Sequence, residues 1–146
     1  MKNFVNIRLS IILISLIIFS GCAVNSLADE SEKMLSLGSA LTKLSAAVDS
    51  TVRYEDLPED ISDSELLALA TKHDPTLLSP FSDYVKKVRR QNHHAIMLIC
   101  SGDGKQALIE DVGCTAKLDK HSWEIKPALS CEFTLTVSNS CEVGNN

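Results

Sequence analysis

The spacing of apolar residues changes near residue 93, and this change constrains the fold more than any other feature of the chain. Between residues 30 and 92 apolar residues recur every three or four positions, as on one face of an α-helix. From residue 93 they form a continuous run and then an alternating pattern, which are typical of buried and half-buried strands. The sequence therefore predicts an α+β fold, with N-terminal helices packed on a small, mainly antiparallel three-stranded sheet.

The first half of the chain carries signals for two helices separated by an acidic connection. The first helix is expected over residues 30–53, with acidic residues at its start that suit the helix dipole. Its apolar face consists of Met34, Leu37, Leu41, Leu44, Val48 and Val52. Residues 55–65 hold six acids in eleven positions and indicate a solvated loop. Ser62 and Glu65 have the spacing of a capping box, which predicts a second helix ending near His73.

A third helix is expected after Ser79-Pro80, because serine is a good N-cap and proline suits the first helical position. This helix would end near Gln91. Away from its apolar face it would carry the positive cluster Lys86, Lys87, Arg89 and Arg90. We consider two interpretations of this basic cluster: a solvated face that suits the helix C-terminus, or a contact surface for anionic lipid or an acidic partner.

The second half of the chain predicts three strands. Residues 95–100 are apolar almost throughout, as in a strand buried on both faces. Asp103-Gly104 favours a tight hairpin turn, so residues 106–112 are expected to return antiparallel to the first strand. Residues 131–137 alternate and predict the third strand. We therefore expect a single domain over residues 29–146, with a helical half at 30–92 and a β half at 93–141.

The first 21 residues have the pattern of an export signal. Lys2 and Arg8 form a positive region, and Leu9–Phe19 is an apolar run of eleven residues. This length fits a secretory signal peptide and falls short of the roughly 20 residues that a membrane-spanning helix needs. A signal peptide over residues 1–21 is therefore expected.

The apolar run ends in Phe-Ser-Gly-Cys at positions 19–22, and this sequence resembles the lipobox of bacterial lipoproteins. The resemblance covers the targeting segment alone. It implies that Cys22 is lipidated and becomes the first residue of the mature chain, anchored to the membrane by its acyl chains. Ala23 in place of aspartate implies sorting to the outer membrane. Residues 22–28 would then form a short tether that keeps the domain close to the lipid surface.

The other four cysteines are expected to form two disulfides, because the domain would be exported to an oxidising compartment. A Cys100–Cys114 bond is excluded, since the hairpin separates these residues by roughly 25 Å and a disulfide needs Cα atoms within about 7 Å. If the third strand lies beside the second, the pairs are Cys114–Cys131 and Cys100–Cys141. If it lies beside the first, they are Cys100–Cys131 and Cys114–Cys141. Sequential strands pair more often, so we prefer the first arrangement.

No motif in the sequence names a reaction or a ligand. Without Lys2 and Arg8 the chain has 12 basic and 19 acidic residues, a charge of about −7 that does not suit nucleic-acid binding. The four histidines lack the spacing of a zinc site. Glu110-Asp111 could supply half of a catalytic carboxylate pair, but neighbours in a strand face apart. We expect no catalytic residues, cofactor, metal or small-molecule ligand.

Two non-catalytic functions remain, and they differ in the partner. The first is an accessory lipoprotein that binds a component of an envelope or secretion assembly at the outer membrane. The second is an inhibitor or immunity protein that binds a periplasmic hydrolase or toxin, for which a small, acidic, disulfide-bonded domain is suitable. An envelope hydrolase is a third, less favoured hypothesis.

Overall fold

The computed structural model describes residues 24–114, 118–119, 129–137 and 141, with no account of the side chains of residues 24–30 and 118–119. The expected signal peptide and the lipidated Cys22 lie outside the described residues. The chain divides into two compact units, Met1–Leu35 and Ser36–Asn146. The architecture is α+β with two disulfides, as the sequence predicts.

Helix α1 spans Val24–Tyr54 and begins six residues before the predicted position. No proline or glycine interrupts residues 24–37, so nothing in the backbone chemistry stops the helix from extending towards Val24. Residues 24–28 of the predicted tether are therefore helical, and no acidic residue stands in the first turn. Four of the predicted apolar positions are buried, and these are Leu37, Leu41, Leu44 and Val48.

Helix α2 spans Asp63–Ala70, and the predicted capping box at its start is present. The Ser62 backbone N–H donates to the Glu65 carboxylate at 3.0 Å, and the Glu65 N–H donates to the Ser62 hydroxyl at 3.3 Å. A 3₁₀ helix follows at Pro75–Phe81, and the Asp74 carboxylate caps its first turn by accepting from the Thr76 N–H. The buried ring of Phe81 anchors this short helix in the domain.

The predicted third helix is wrong, because residues 85–91 form a strand. Strand β1 spans Val85–Gln91 and pairs antiparallel with β2, His94–Cys100, over seven residue pairs. The two-residue turn between them, Asn92-His93, has positive φ angles of 51° and 61°. Such angles are typical of the tight hairpin turn that matches strand twist. A strand as apolar as β2 needs neighbours on both sides, and this hairpin supplies one of them.

The sheet has the order β1-β2-β3-β4, with the buried strand β2 inside it. Strand β3 spans Ala107–Val112 and returns antiparallel to β2 through a turn at Asp103-Gly104, as predicted. Gly104 has a φ of 70°, which explains the glycine at this position. A two-residue strand β4, Leu118–Asp119, pairs with β3.

Residues 131–137 do not form the predicted third strand. Ser130 makes an isolated bridge with Gln106, and the chain then runs over one face of the sheet as the crossing segment, residues 129–137. Its apolar side chains pack on Leu98 and Ile96 of β2. The prediction was wrong because the alternating pattern has another cause here. The segment buries every second side chain without pairing along the edge of a strand.

The crossing segment also explains why the preferred disulfide pairing is wrong. Cys131 lies beside the start of β3, and Cys100 is opposite Ala107 in the same place, so these two cysteines are bonded with Cα atoms 5.7 Å apart. Past the segment, Cys141 is bonded to Cys114, with Cα atoms 5.6 Å apart. The bonds Cys114–Cys131 and Cys100–Cys141 are therefore absent. The observed pairs are those of the alternative arrangement, although a strand does not bring them together.

Candidate functional site

Three side chains of metal-binding type and a carboxylate meet at the end of the sheet where β2 begins and β3 ends. A ring nitrogen of His94 and the sulfur atoms of Cys114 and Cys141 lie within 4.8 Å of one another, and all three residues are half-buried. We call these three residues the His-Cys cluster. Imidazole nitrogen and cysteine sulfur are the donors of many zinc sites in proteins, although here the two sulfur atoms form a disulfide.

The position of His94 is fixed by Asp49 of helix α1. The Asp49 carboxylate lies 3.0 Å from His94 Nδ1 and accepts a hydrogen bond from the Ala95 N–H at 2.9 Å. Its side chain is only 5% exposed, and that of His94 is 17% exposed. A buried carboxylate that holds one ring nitrogen determines which way the imidazole faces and leaves Nε2 as the nitrogen free for another ligand.

Gly113 allows α1 to approach the sheet at this place. A Cβ atom at Gly113 would lie 2.5 Å from Asp49 Cβ and 2.5 Å from the Ser45 carbonyl oxygen. The Gly113 N–H donates to the Ala95 carbonyl at 3.0 Å, which joins the end of β3 to the start of β2. Close contact of helix and sheet therefore places Asp49, His94 and Cys114 together.

Sequence reasoning did not find this arrangement, and no local pattern indicates it. His94 and Asp49 are 45 residues apart, and Cys114 and Cys141 are 27 apart. Because His93 and His94 are adjacent, they would face opposite sides if both lay in one strand. In the structure His93 is in the exposed turn and His94 begins β2. Only the fold brings the cluster together.

The two adjacent acids that could have supplied half of a catalytic carboxylate pair, Glu110 and Asp111, are buried in β3. Glu110 is fully buried and accepts hydrogen bonds from the Thr134 and Leu135 N–H groups and from the Thr134 hydroxyl, at 2.9 to 3.2 Å. Asp111 is 1% exposed. Among the described residues its carboxylate oxygens make no well-formed hydrogen bond. Burial raises the pKa of the Asp111 carboxyl above its ordinary value, and the nearby Ser45 hydroxyl and Val112 N–H lower it by less.

The four residues of the basic cluster lie on β1 and not on a helix, and their head groups bind main-chain carbonyls. On one face, Lys87 Nζ donates to the Cys131 carbonyl at 2.9 Å, and Arg89 donates to the Leu135 carbonyl and lies over the Phe133 ring. Toward the other face, Lys86 Nζ donates to the Phe81 carbonyl at 2.8 Å. Arg90 donates to the carbonyls of Pro58 and Glu59. These four cations therefore hold the crossing segment, the 3₁₀ helix and the acidic loop against the sheet.

An open groove of about 520 Å³ lies between the end of α1, the acidic loop and the β1–β2 turn. Three exposed carboxylates line it, from Glu55, Asp56 and Glu59. The same groove includes Arg90 and the turn residue His93. We call this surface the acidic groove, since its carboxylates outnumber its permanent cation three to one.

Within the part of the chain that the structure covers, no helix is both long and apolar enough to cross a membrane. Comparison with protein-family models, with characterised proteins and with solved structures finds no match to this chain.

Proposed function

We propose that this protein is a bacterial lipoprotein that is anchored in the outer membrane through Cys22 and binds another protein of the envelope. The observation that carries the proposal is the lipobox-like sequence at positions 19–22, at the end of an apolar run of eleven residues. Two or three acyl chains on one cysteine provide a stable anchor, which a single chain does not. The two disulfides support an exported location, because such bonds persist in oxidising compartments.

Binding is favoured over catalysis because the acidic residues with catalytic potential are used inside the domain. Glu110 accepts hydrogen bonds from the backbone of the crossing segment, and Asp111 is buried in strand β3. A general acid or base must come within hydrogen-bond distance of its substrate, and these two buried carboxylates have no route to one. The proposed protein is therefore a non-catalytic accessory component of an envelope or secretion assembly.

The acidic groove is the surface that we propose for the partner. Its three exposed carboxylates would attract a basic surface, and such complementarity raises the rate of association and the specificity of binding. The turn at Asn92-His93 forms part of the same groove, and its positive φ angles fix its shape. A basic active site of a hydrolase or toxin would also fit, so the inhibitor or immunity role is the second candidate.

The proposal is tested by site-specific photo-crosslinking in living cells. A photoreactive residue at Asp56 should form an adduct with one envelope protein, and mass spectrometry of the adduct names that partner. The same residue at exposed Asp103, in the β2–β3 turn, should give no such adduct. A structural component of the envelope as partner supports the accessory role, and a hydrolase or toxin supports the inhibitor role.

Charge reversal provides the matched control. Asp56→Lys together with Glu59→Lys should abolish the adduct, because both carboxylates line the acidic groove. Asp83→Lys together with Glu132→Lys changes the total charge equally at exposed positions outside the lining of the groove and should leave the adduct intact. Equal adduct formation from position 103 would reject the groove as the binding surface. The same conclusion would follow if the adduct survived charge reversal in the groove and was lost on charge reversal outside it.

A further inference from the structure

The geometry points to a second state of the His-Cys cluster: when the Cys114–Cys141 disulfide is reduced, His94, Cys114 and Cys141 bind a thiophilic divalent cation of the zinc class. Two thiolates and one imidazole would supply three of the four ligands of a tetrahedral site, and the fourth position would be open to water or to a donor from a partner. This inference does not depend on the proposed function.

The distances suit such a site. Ligands bound tetrahedrally at about 2.3 Å from the metal lie roughly 3.8 Å from one another. The ring nitrogen of His94 and the two sulfur atoms already lie within 4.8 Å of one another. The Cα atoms of Cys114 and Cys141 are 5.6 Å apart, so the two sulfurs can separate to the ligand distance by side-chain rotation alone.

The carboxylate of Asp49 lies behind His94. Metal-binding histidines commonly use their other ring nitrogen to bind a carboxylate, which orients the ring and increases its basicity. Asp49 is in this position, 3.0 Å from Nδ1, and is itself held by the Ala95 N–H. An imidazole that merely packs beside a disulfide needs no buried carboxylate partner, whereas an imidazole that binds a metal gains affinity from one.

The two disulfides differ in their exposure to solvent. Cys100 and Cys131 are 0% and 6% exposed and belong to the apolar core. Cys114 and Cys141 are half-buried at the end of the sheet. A reductant therefore reaches Cys114–Cys141 first, and the core disulfide can keep the crossing segment in place while the cluster changes state.

Reduction of the disulfide comes first, and binding of the metal follows. A dithiol reductant transfers two electrons and two protons to the disulfide, which gives two cysteine thiols and one oxidised dithiol. The cation then replaces the two thiol protons, so that two protons are released for each metal ion bound. Reoxidation of the two thiolates by a small-molecule disulfide, which accepts two electrons and leaves as two thiols, would release the metal. Metal binding is therefore controlled by the redox state of one disulfide.

The experiment uses the full chain purified in detergent, reduced under mild conditions and freed of reductant without oxygen, with Co²⁺ as the spectroscopic probe. We expect the reduced protein to bind one Co²⁺ per chain and to show sulfur-to-cobalt charge-transfer absorption, and the oxidised protein to show none. Zn²⁺ should displace the cobalt. Far-UV circular dichroism checks that each sample is folded.

Variants identify the ligands. His94→Ala should lower Co²⁺ affinity at least about tenfold and change the spectrum, while His93→Ala, which removes the neighbouring histidine in the exposed turn, should do neither. Asp49→Asn should weaken binding with the charge-transfer bands retained, because both thiolates still bind. Cys114→Ser with Cys141→Ser should abolish binding. Unchanged binding in His94→Ala, or binding in the double serine variant, would overturn the inference.

A measurement on the wild-type chain avoids any variant that fails to fold. Reduced protein is alkylated with and without Zn²⁺, and mass spectrometry follows each cysteine-containing peptide separately. Zn²⁺ should slow the alkylation of Cys114 and Cys141 at least about tenfold, because bound thiolates are poor nucleophiles. Equal rates with and without Zn²⁺, or protection of other cysteines alone, would reject the site.

Discussion

At the scale of the residue, Asp111 stands out among the described side chains. Its carboxyl is buried, and burial raises its pKa by more than the nearby Ser45 hydroxyl and Val112 N–H lower it. Because the folded pKa is above the unfolded value, its contribution to stability is full below the unfolded pKa of about 3.9 and is lost as pH rises through the folded pKa. Ionisation of Asp111 should therefore lower the stability of the domain as the pH rises, against the opposite contributions of Asp103 and Glu65, whose pKa values are lowered.

Asp111→Asn should remove this loss. At about pH 8 we expect the variant to be more stable than the wild type by about 1–2 kcal/mol, and the difference should vanish near pH 4. Urea unfolding at the two pH values measures it. Asp103→Asn is the matched control, because hydrogen bonds from the Ser101 side chain and the Lys105 N–H lower the Asp103 pKa and the effect should have the opposite sign. A gain in Asp111→Asn that does not depend on pH would contradict the assignment.

The residues of the basic cluster lead to a second prediction. Lys87→Gln and Arg89→Gln should each lower the free energy of unfolding by about 1 kcal/mol or more, because each side chain donates to a carbonyl of the crossing segment. Lys72→Gln and Lys105→Gln serve as controls, since these lysines are exposed and their ion pairs should contribute little. Urea unfolding compares the four variants. Equal effects in both sets would mean that the β1 cations are not structural.

Among the elements, the crossing segment depends on side chains where a strand would use backbone pairs. Glu110→Gln should loosen it, because the amide nitrogen of glutamine cannot accept and would face the N–H groups of Thr134 or Leu135. A loss of about 1.5–3 kcal/mol is expected, with faster amide exchange at Thr134 and Leu135 and little change in α1. Glu132→Gln, exposed in the same segment, is the control. Unchanged exchange at Thr134 would refute this role of Glu110.

The elements also show how far the sequence determines the fold. Local signals were sufficient for α2, whose capping box is observed, and for the β2–β3 hairpin, whose turn residues and apolar run agree. They failed for β1, because Lys and Arg at most of its positions hide the strand alternation and Ser79-Pro80 suggests a helix start. The long cationic side chains reach carbonyls on other elements, and no local pattern contains that information.

The His-Cys cluster and the disulfide pairs depend on the whole molecule. The sequence reduced the pairings to two arrangements, and the choice depended on the path of residues 129–137 across the sheet, which is a tertiary property. Peptide mapping without reduction should find Cys100–Cys131 and Cys114–Cys141. A Cys114–Cys131 peptide would instead require residues 131–137 to form a strand beside β3 and would contradict the fold described above.

At the scale of the whole molecule, we propose that the protein is a lipoprotein held in the membrane by Cys22. Metabolic labelling of cells with a clickable palmitate analogue tests it most directly, with the wild type compared with Cys22→Ala. The account predicts that the wild-type protein is labelled and sediments with the outer membrane, and that Cys22→Ala is unlabelled. A wild-type protein that is soluble and carries no label would contradict the account.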